Sequence, residues 1–344
     1  MNSATIASAV VLFSSIIFWW YRSTRSTNYF QLSGVRAPTP LPHFDVDKTL
    51  ARPYRPFRWE YHQTMSLKAM DPDRWIELES TYKERIKQRN ALYAKYGKKI
   101  IDCLPGAESA CRELMEMVVQ FICVRYPGQF SVDYRSGLFN NRILGTTSNI
   151  FTIEPLHFLL QHVPEDFLIT QPDSKTGLYT FRAGVSCSSV GWNVSTKIGL
   201  DLSGIHAPVP DYEDKMAFSM NRFFSSMKVD KPIQRGSWSL EIGQPLFLQE
   251  DEPDFRQSKP NVSLDDIHLR VDWQTLRRLP RSRAIVFNFK PLFTSVKQFR
   301  HEPYIPRLLL RILRESKASL LEYKATSHVE HIVIPALWIG ESGL

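Results

Sequence analysis

The sequence predicts an α+β fold in which a largely antiparallel sheet is flanked by helices, with one membrane-spanning helix in front of it. Two segments, residues 71–97 and 106–128, carry apolar side chains at the spacing of an amphipathic helix. From about residue 178 the apolar side chains alternate with polar ones, which is the period of a half-buried strand. Further helical segments lie between these strands and after them, and this mixture is typical of α+β domains.

The N-terminal residues 1–26 differ from the rest of the chain. Residues 6–21 contain no charged side chain and end in three aromatic residues, after which Arg22 and Arg25 follow. An apolar run of about 20 residues spans a bilayer, and aromatic residues favour its interface. The arginines on the C-terminal side predict a single-pass anchor with the body in the cytosol. A cleaved or an interfacial segment is the alternative.

The anchor is followed by a predicted linker and one folded domain. Residues 27–57 form the linker, because the stretch from residue 36 onward is rich in proline and favours an extended chain. Residues 58–344 form the domain, and we find no internal repeat in them.

The helices predicted over residues 71–97 and 106–128 each have one apolar face. The helix over residues 71–97 can be capped by Asp71 or Asp73 and can end at Gly97. Its apolar positions are Trp75, Leu78, Tyr82 and Ile86. Those of the helix over residues 106–128 are Ala110, Leu114, Met117, Val118 and Phe121. We expect Met115 and Met117 to belong to the core and not to bind a metal.

The remaining elements of the domain follow residue 178. Strands are predicted over residues 178–186, 236–243, 267–276, 283–292 and 331–337. Helices are predicted over residues 212–227 and 302–323.

Charge, cysteine content and motifs exclude several classes of protein. The chain has 344 residues and a net charge of +8. It has no long basic run and no zinc-finger spacing, so we expect no nucleic-acid partner. A basic surface fits acidic lipids or an acidic redox partner equally well. The four cysteines show no C-x-x-C spacing, and motifs of nucleotide-binding loops, serine hydrolases and zinc proteases are missing.

The strand over residues 267–276 is the most informative one. Alternation places Ile267, Leu269, Val271 and Trp273 on one face, and His268, Arg270, Asp272 and Gln274 on the other. The second face can simply meet water. It can also be functional, because the row offers every hydrogen-bonding role and its arginine can hold a carboxylate bidentately.

His206 has the most distinctive setting among the histidines. Pro208 and Pro210 follow it, and each proline fixes its own φ and favours extended geometry in the residue before it. The stretch 207–210 is therefore expected to be rigid and non-helical. Either the loop carries the histidine by chance, or it holds the ring in one orientation for a ligand. Two other pairs, His157 with His162 and His328 with His331, have spacings that disfavour a shared metal.

Three stretches of the chain together resemble a known family. They are "AGVSCSSVGWNVSTKIGLDLSGIHAPVPDY", "RGSW" and "LRVDWQTLRRLPRSRAIVF", and the upstream "MDPDRWIELESTYKERIKQR" fits as well. The combination resembles the heme-dependent oxidative N-demethylase alpha-subunit family, whose fungal members are often called HRQ family proteins. The resemblance covers roughly residues 55–335.

The resemblance implies a PAS-like fold that binds heme b, with iron as its metal. It makes His206 the candidate axial ligand of the iron, and Arg235 and Arg270 candidate cofactor-binding residues. Arg270 and Gln274 match the family's R-x-E-R-Q element, whereas Asp272 stands where the family has glutamate. The family's R-x-N-W element is matched from Arg235, but Ser237 replaces its asparagine.

The activity implied is that of a monooxygenase that oxidises a C–H bond next to nitrogen with dioxygen, on a small amine or related metabolite. Asp272 and Gln274 become the candidate catalytic residues, with Asp272 as a proton carrier or the counter-ion of an amine. A separate electron-donating reductase is implied, because the chain shows no dinucleotide loop and no iron–sulfur spacing. The alternatives are a heme sensor with a PAS-like fold and a non-catalytic small-molecule binding protein.

Overall fold

The protein is described here from a computed structural model, which covers residues 27–60, 65–253, 255–257, 261–324 and 326–339. The helices in these ranges are Tyr29–Ser33 (α1), Tyr82–Tyr96 (α2), Glu108–Arg125 (α3), Pro155–His162 (α4), Val194–Lys197 (α5), Leu202–His206 (α6), Phe218–Ser226 (α7), Ile305–Glu315 (α8), Ala318–Lys324 (α9) and Ser327–Ile339 (α10). The strands are Lys68–Ala69 (β1), Ile101–Cys103 (β2), Phe130–Asp133 (β3), Leu138–Asn141 (β4), Thr146–Asn149 (β5), Asp166–Pro172 (β6), Tyr179–Val185 (β7), Ile233–Ile242 (β8), Ile267–Arg278 (β9) and Ile285–Ser295 (β10).

A large antiparallel sheet organises the fold. Within the described residues, seven strands pair in the order β1-β8-β9-β10-β6-β7-β2, and every neighbouring pair is antiparallel. A smaller sheet has the order β3-β4-β5. The predicted α+β class with a largely antiparallel sheet and flanking helices is therefore confirmed. That the fold is PAS-like stays a prediction.

The two faces of the large sheet carry different contents. On one face, side chains of β6, β7 and β10 join a core built mainly from α3 and α4. The same face of β8 and β9 packs against α8 and α10. On the opposite face, α6 and α7 form a third apolar cluster beside a large cavity.

The second predicted helix is confirmed, and the first begins later than expected. All five predicted apolar positions of α3, Met117 among them, are buried, and so is Met115. Gly97 ends α2 as predicted, with φ of 51°. However, residues 75–81 are not helical, because other parts of the protein bind their backbone. Glu165 Oε1 accepts from Glu77 N at 3.1 Å, and the Tyr126 hydroxyl accepts from Leu78 N at 3.1 Å.

Four of the five predicted strands are confirmed as β7, β8, β9 and β10. The fifth prediction was wrong, because residues 331–337 lie inside α10. The residues Val329, Val333 and Leu337 recur every four positions and are all buried against α8 and its neighbours. This is a helical period, which the short apparent alternation had concealed. Residues 302–323 also form two helices, α8 and α9, instead of one.

The prediction of a single-pass membrane protein needs correction. It rested on residues 1–26, which lie outside the described residues. Throughout the part of the chain that the structure describes, every helix is too short or too polar to cross a bilayer. We therefore withdraw the membrane-spanning helix and the localisation derived from it.

The N-terminal part of the described chain contributes to the core. Tyr29 of α1 and Val46 are 2% and 5% exposed, and both belong to the core around α3. Both residues lie within the stretch predicted as a linker, so that stretch packs on the body at these positions.

Candidate functional site

A cavity of about 450 Å³ opens on the face of the sheet that α6 and α7 cover. This volume is in the range typical of small-molecule and cofactor sites. Its apolar wall includes Leu168, Phe181, Leu202, Ile205, Val209, Met220, Phe223, Phe224, Leu276, Phe287 and Phe289. The polar side chains among the lining residues are concentrated on β8 and β9.

The register of β8 and β9 explains why those polar side chains meet. Arg235 pairs with Gln274, Ser237 with Asp272 and Ser239 with Arg270. Paired residues of neighbouring strands point to the same face, so all six lie on the cavity face and line it. The structure thus brings together the predicted residues Arg235, Arg270, Asp272 and Gln274.

His206 lies at the C-terminal end of α6 and lines the same cavity. Its Nδ1 lies 2.7 Å from the carbonyl oxygen of Leu202. Since a carbonyl only accepts, Nδ1 carries the hydrogen and the lone pair of the neutral ring is on Nε2. The ring also stacks on Tyr212, with 4.8 Å between centroids and 7° between planes. Ring orientation and tautomer are therefore both determined.

The charge state of His206 follows from its surroundings. Burial lowers its pKa, and the positive charges of Arg235 and Lys197 act in the same direction, while the hydrogen bond to Leu202 opposes them. The imidazole is therefore favoured in its neutral form, which is the form that binds metal ions.

The stretch after His206 differs in one respect from the prediction. Ala207 precedes Pro208, yet it has helical backbone angles, φ −48° and ψ −35°, and not extended ones. The reason is a turn that follows the helix directly, in which Val209 N donates to His206 O at 2.8 Å. The turn fixes the end of α6 and with it the backbone of His206.

Arg270 is buried, and protein atoms take up its guanidinium. Nε donates to Asp272 Oδ1 at 2.9 Å, and one terminal nitrogen donates to Pro245 O at 3.1 Å. The other terminal nitrogen donates to Ser188 O. Arg270 therefore holds the Asp272 carboxylate in place.

Asp272 keeps an open side. Its side chain is 26% exposed, and the residue lines the cavity. Burial raises its pKa, although the charge of Arg270 acts against this increase. A carboxylate with a raised pKa beside a cavity is suited to exchanging a proton with a ligand.

Lys324 is a cavity residue that sequence reasoning missed. It is 5% exposed, ends α9 and donates from Nζ to Ser237 Oγ at 3.1 Å. Burial lowers its pKa to about 7, and nearby Arg235 contributes. A signal was present, since Leu320 and Lys324 are four residues apart and thus share one buried helix face. A lysine on such a face is unusual.

Basic side chains outnumber acidic ones in the lining. The basic ones are Lys197, Arg235, Arg256, Arg270 and Lys324, against Glu250 and Asp272. Two of the arginines have carboxylate partners, Asp272 for Arg270 and the buried Glu241 for Arg256. The excess suits a ligand that carries carboxylates.

The other histidines lie elsewhere. His268 is on β9 as predicted, but it is absent from the cavity lining; its ring contacts Asp266 O at 3.1 Å and Gln244 at 3.4 Å. His162 is buried beside Ser148 and Asn141. Among the described residues no group of three or more His, Cys, Asp or Glu side chains could hold a metal ion.

Comparison with known families gives a match over most of the chain. The family model described as "haem-dependent oxidative N-demethylase, alpha subunit-like" matches residues 66–334. This range includes every cavity residue named above, among them the site residues on α6, α9, β8 and β9.

Proposed function

Because the chain belongs to the haem-dependent oxidative N-demethylase, alpha subunit-like family, we propose that it binds heme b and oxidises a C–H bond next to nitrogen in a small amine. The observation that carries this proposal is His206. It is a neutral, oriented imidazole whose Nδ1 is hydrogen-bonded to Leu202 O, at the wall of a cavity of about 450 Å³. A histidine that would hold a heme iron needs this arrangement, with one nitrogen hydrogen-bonded and the other free for the metal.

The cavity fits heme in two further respects. Phe181, Phe223, Phe224 and the other apolar residues of the wall suit a macrocycle, and the excess of basic side chains suits its two propionates. In this proposal, Arg235 and Lys197 would hold the propionates. Arg270 donates to four protein oxygens, including Leu246 O at 3.5 Å. We therefore propose that it positions Asp272, and that it does not serve as a propionate ligand.

The remaining polar residues hold the substrate and move its proton. Heme, when bound, supplies the redox chemistry with dioxygen. An amine must lose its proton before the C–H bond next to nitrogen is oxidised, and Asp272 is the proposed acceptor, through the carboxylate oxygen that Arg270 does not bind. Gln274 lies one pair further along β9, opposite Arg235, and orients the substrate by hydrogen bonds. Electrons come from a separate reductase in this proposal.

The first test is the absorbance spectrum of the full chain reconstituted with heme. We expect His206→Ala to lose the Soret band of the ligated protein. His268→Ala is the matched control, because His268 is absent from the cavity lining, and it should keep the spectrum. An unchanged spectrum of His206→Ala would assign the axial ligand to another residue.

The second test measures the reaction itself. The reconstituted protein, with a chemical reductant and dioxygen, should release an aldehyde from secondary N-methyl amines. Heme binding without aldehyde release from any amine offered would favour a heme sensor over an enzyme.

A further inference from the structure

Cys103 and Cys111, which have no role in the proposed function, lie next to each other. Cys103 is the last residue of β2 and is half-buried, and Cys111 is the fourth residue of α3 and is fully buried. Their sulfur atoms are 3.9 Å apart. The other two cysteines do not share this arrangement: the Cys187 sulfur contacts Arg89 O at 3.9 Å, and no bond between Cys123 and another cysteine occurs in the described residues.

The connection between the two cysteines is a tight turn. Ala107 N donates to Leu104 O at 3.2 Å, and Gly106 has φ of +90°, which glycine adopts without strain. The turn brings the end of β2 back beside the first turns of α3. A disulfide has a sulfur–sulfur distance of about 2.05 Å, so the sulfurs need to approach by about 2 Å. Rotation of the half-buried Cys103 side chain provides part of that approach.

We propose that Cys103 and Cys111 form a reversible intramolecular disulfide when the protein meets a peroxide. The proposal is independent of the function proposed above, because it concerns residues outside the cavity lining.

The two thiols are suited to different steps of this oxidation. The hydrogen bond between the two sulfur atoms lowers the pKa of Cys103. The same hydrogen bond and burial raise the pKa of Cys111. The accessible partner thus carries the greater thiolate character, which determines the site of attack by a peroxide. Cys111 is shielded and acts second.

The steps balance with hydrogen peroxide as the only oxidant. The Cys103 thiolate attacks one peroxide oxygen, the O–O bond breaks, and hydroxide leaves with a proton as water, giving a sulfenic acid. The Cys111 sulfur then attacks the Cys103 sulfur, the S–O bond breaks and a second water leaves. Two thiols are oxidised and one peroxide is reduced to two waters. An external dithiol reverses the reaction by exchange.

The chain allows a direct measurement. Trypsin cuts after Lys99 and Arg112, so both cysteines lie in the single peptide 100–112, whereas Cys123 and Cys187 lie in other peptides. The native full chain is treated with hydrogen peroxide, and its remaining thiols are alkylated. The protein is then digested with trypsin, and the peptide masses are measured by mass spectrometry. We expect peptide 100–112 to be lighter by two hydrogens and to carry no alkyl group. A dithiol added before alkylation should restore double alkylation.

Variants separate the two roles. In Cys111→Ser the oxidation should stop at a sulfenic acid on Cys103, which dimedone traps. In Cys103→Ser, Cys111 should remain a thiol under the same dose. Cys123→Ser is the matched control and should form the Cys103–Cys111 product as the parent does. Double alkylation of peptide 100–112 after treatment of the native protein, or cross-links only between chains, would overturn the proposal.

Discussion

Two Arg–Asp pairs in the described part of the chain have a buried arginine, and they differ in what surrounds the carboxylate. Arg89 of α2 pairs with Asp166 of β6, and the two side chains are 1% and 0% exposed. Arg270 pairs with Asp272 within β9, and here the exposures are 3% and 26%. Both arginines are buried to a similar degree, so the comparison concerns the two carboxylates.

The Asp166 carboxylate is fully occupied by protein donors. Besides Arg89, it accepts from Cys187 N at 2.9 Å, Ser188 N at 2.6 Å and the Ser186 hydroxyl at 3.2 Å. Both oxygens are engaged, and the pair is remote from solvent. The Asp166 carboxylate therefore attaches the segment after β7 to β6.

Among the described residues, the Asp272 carboxylate accepts a hydrogen bond from Arg270 alone, and it otherwise faces the cavity. The two pairs are joined through one residue, since Asp166 binds the N–H of Ser188 and Arg270 binds its carbonyl oxygen. The Arg89–Asp166 pair, which is closed to solvent, therefore supports the Arg270–Asp272 pair, which is open to the cavity. An Arg–Asp pair thus has a structural role where protein donors occupy both carboxylate oxygens, as in Asp166. It is available for chemistry where one side of the carboxylate faces a cavity, as in Asp272.

The largest effect is expected from Asp166→Asn. Asparagine keeps the shape of the side chain but removes the charge opposite Arg89. It also replaces one carboxylate oxygen by an NH₂ group, which then faces the donors that bind Asp166. Breaking a buried ion pair by removing one partner costs about 3–5 kcal/mol. We expect a fall of this size in the free energy of unfolding, measured by urea denaturation. A fall below about 1 kcal/mol would show that the pair is not a structural fastener.

The matched substitution Asp272→Asn should affect activity and not stability. Proton transfer by a positioned side chain contributes about 10²–10⁴-fold to rate, so we expect turnover by the reconstituted protein to fall at least about 100-fold. The free energy of unfolding near neutral pH should be no lower than that of the parent. A loss as large as that of Asp166→Asn would contradict the distinction between the two pairs.

The difference in the free energy of unfolding between Asp272→Asn and the parent should depend on pH, and the sign of this dependence follows from the pKa of Asp272. Because the pKa of Asp272 is raised in the folded protein, the folded state binds its proton more tightly than the unfolded state. The parent therefore loses stability at this position as the pH rises above the unfolded pKa of about 4. Asp272→Asn cannot ionise, so its stability relative to the parent should increase between about pH 4 and about pH 7. Denaturation curves of both proteins at these two values measure it.

The open pair could be predicted from the sequence, whereas the closed one could not. Arg270 and Asp272 are two residues apart on one strand, so a period of two suffices to place them on one face. Arg89 and Asp166 are 77 residues apart, and only the packing of α2 on β6 brings them together. The same limit applies to Lys324, which reaches Ser237 across 87 residues.

Local patterns also failed where tertiary contacts replaced local hydrogen bonds. The helix predicted from residue 71 does not form before Tyr82, because Glu165 and Tyr126 accept hydrogen bonds from the backbone of Glu77 and Leu78. No spacing in residues 71–81 reveals these partners. The placement of His206 beside β8 and β9 likewise depends on how α6 folds onto the sheet, although the prolines after it drew attention to the right residue.

The smallest effects come from two serines that bind Asp166 in different ways. Ser186 donates from its hydroxyl at 3.2 Å, whereas Ser188 donates from its backbone nitrogen at 2.6 Å. Ser186→Ala therefore removes a buried hydrogen bond to a charged group, with an expected loss of about 1.5–3 kcal/mol in the free energy of unfolding. Ser188→Ala keeps both backbone bonds that join the two Arg–Asp pairs, so its effect should stay within about 0.5 kcal/mol. Urea denaturation of the two variants, side by side, measures the difference. A larger loss for Ser188→Ala than for Ser186→Ala would mean that the side chain, and not the backbone, of Ser188 connects the pairs.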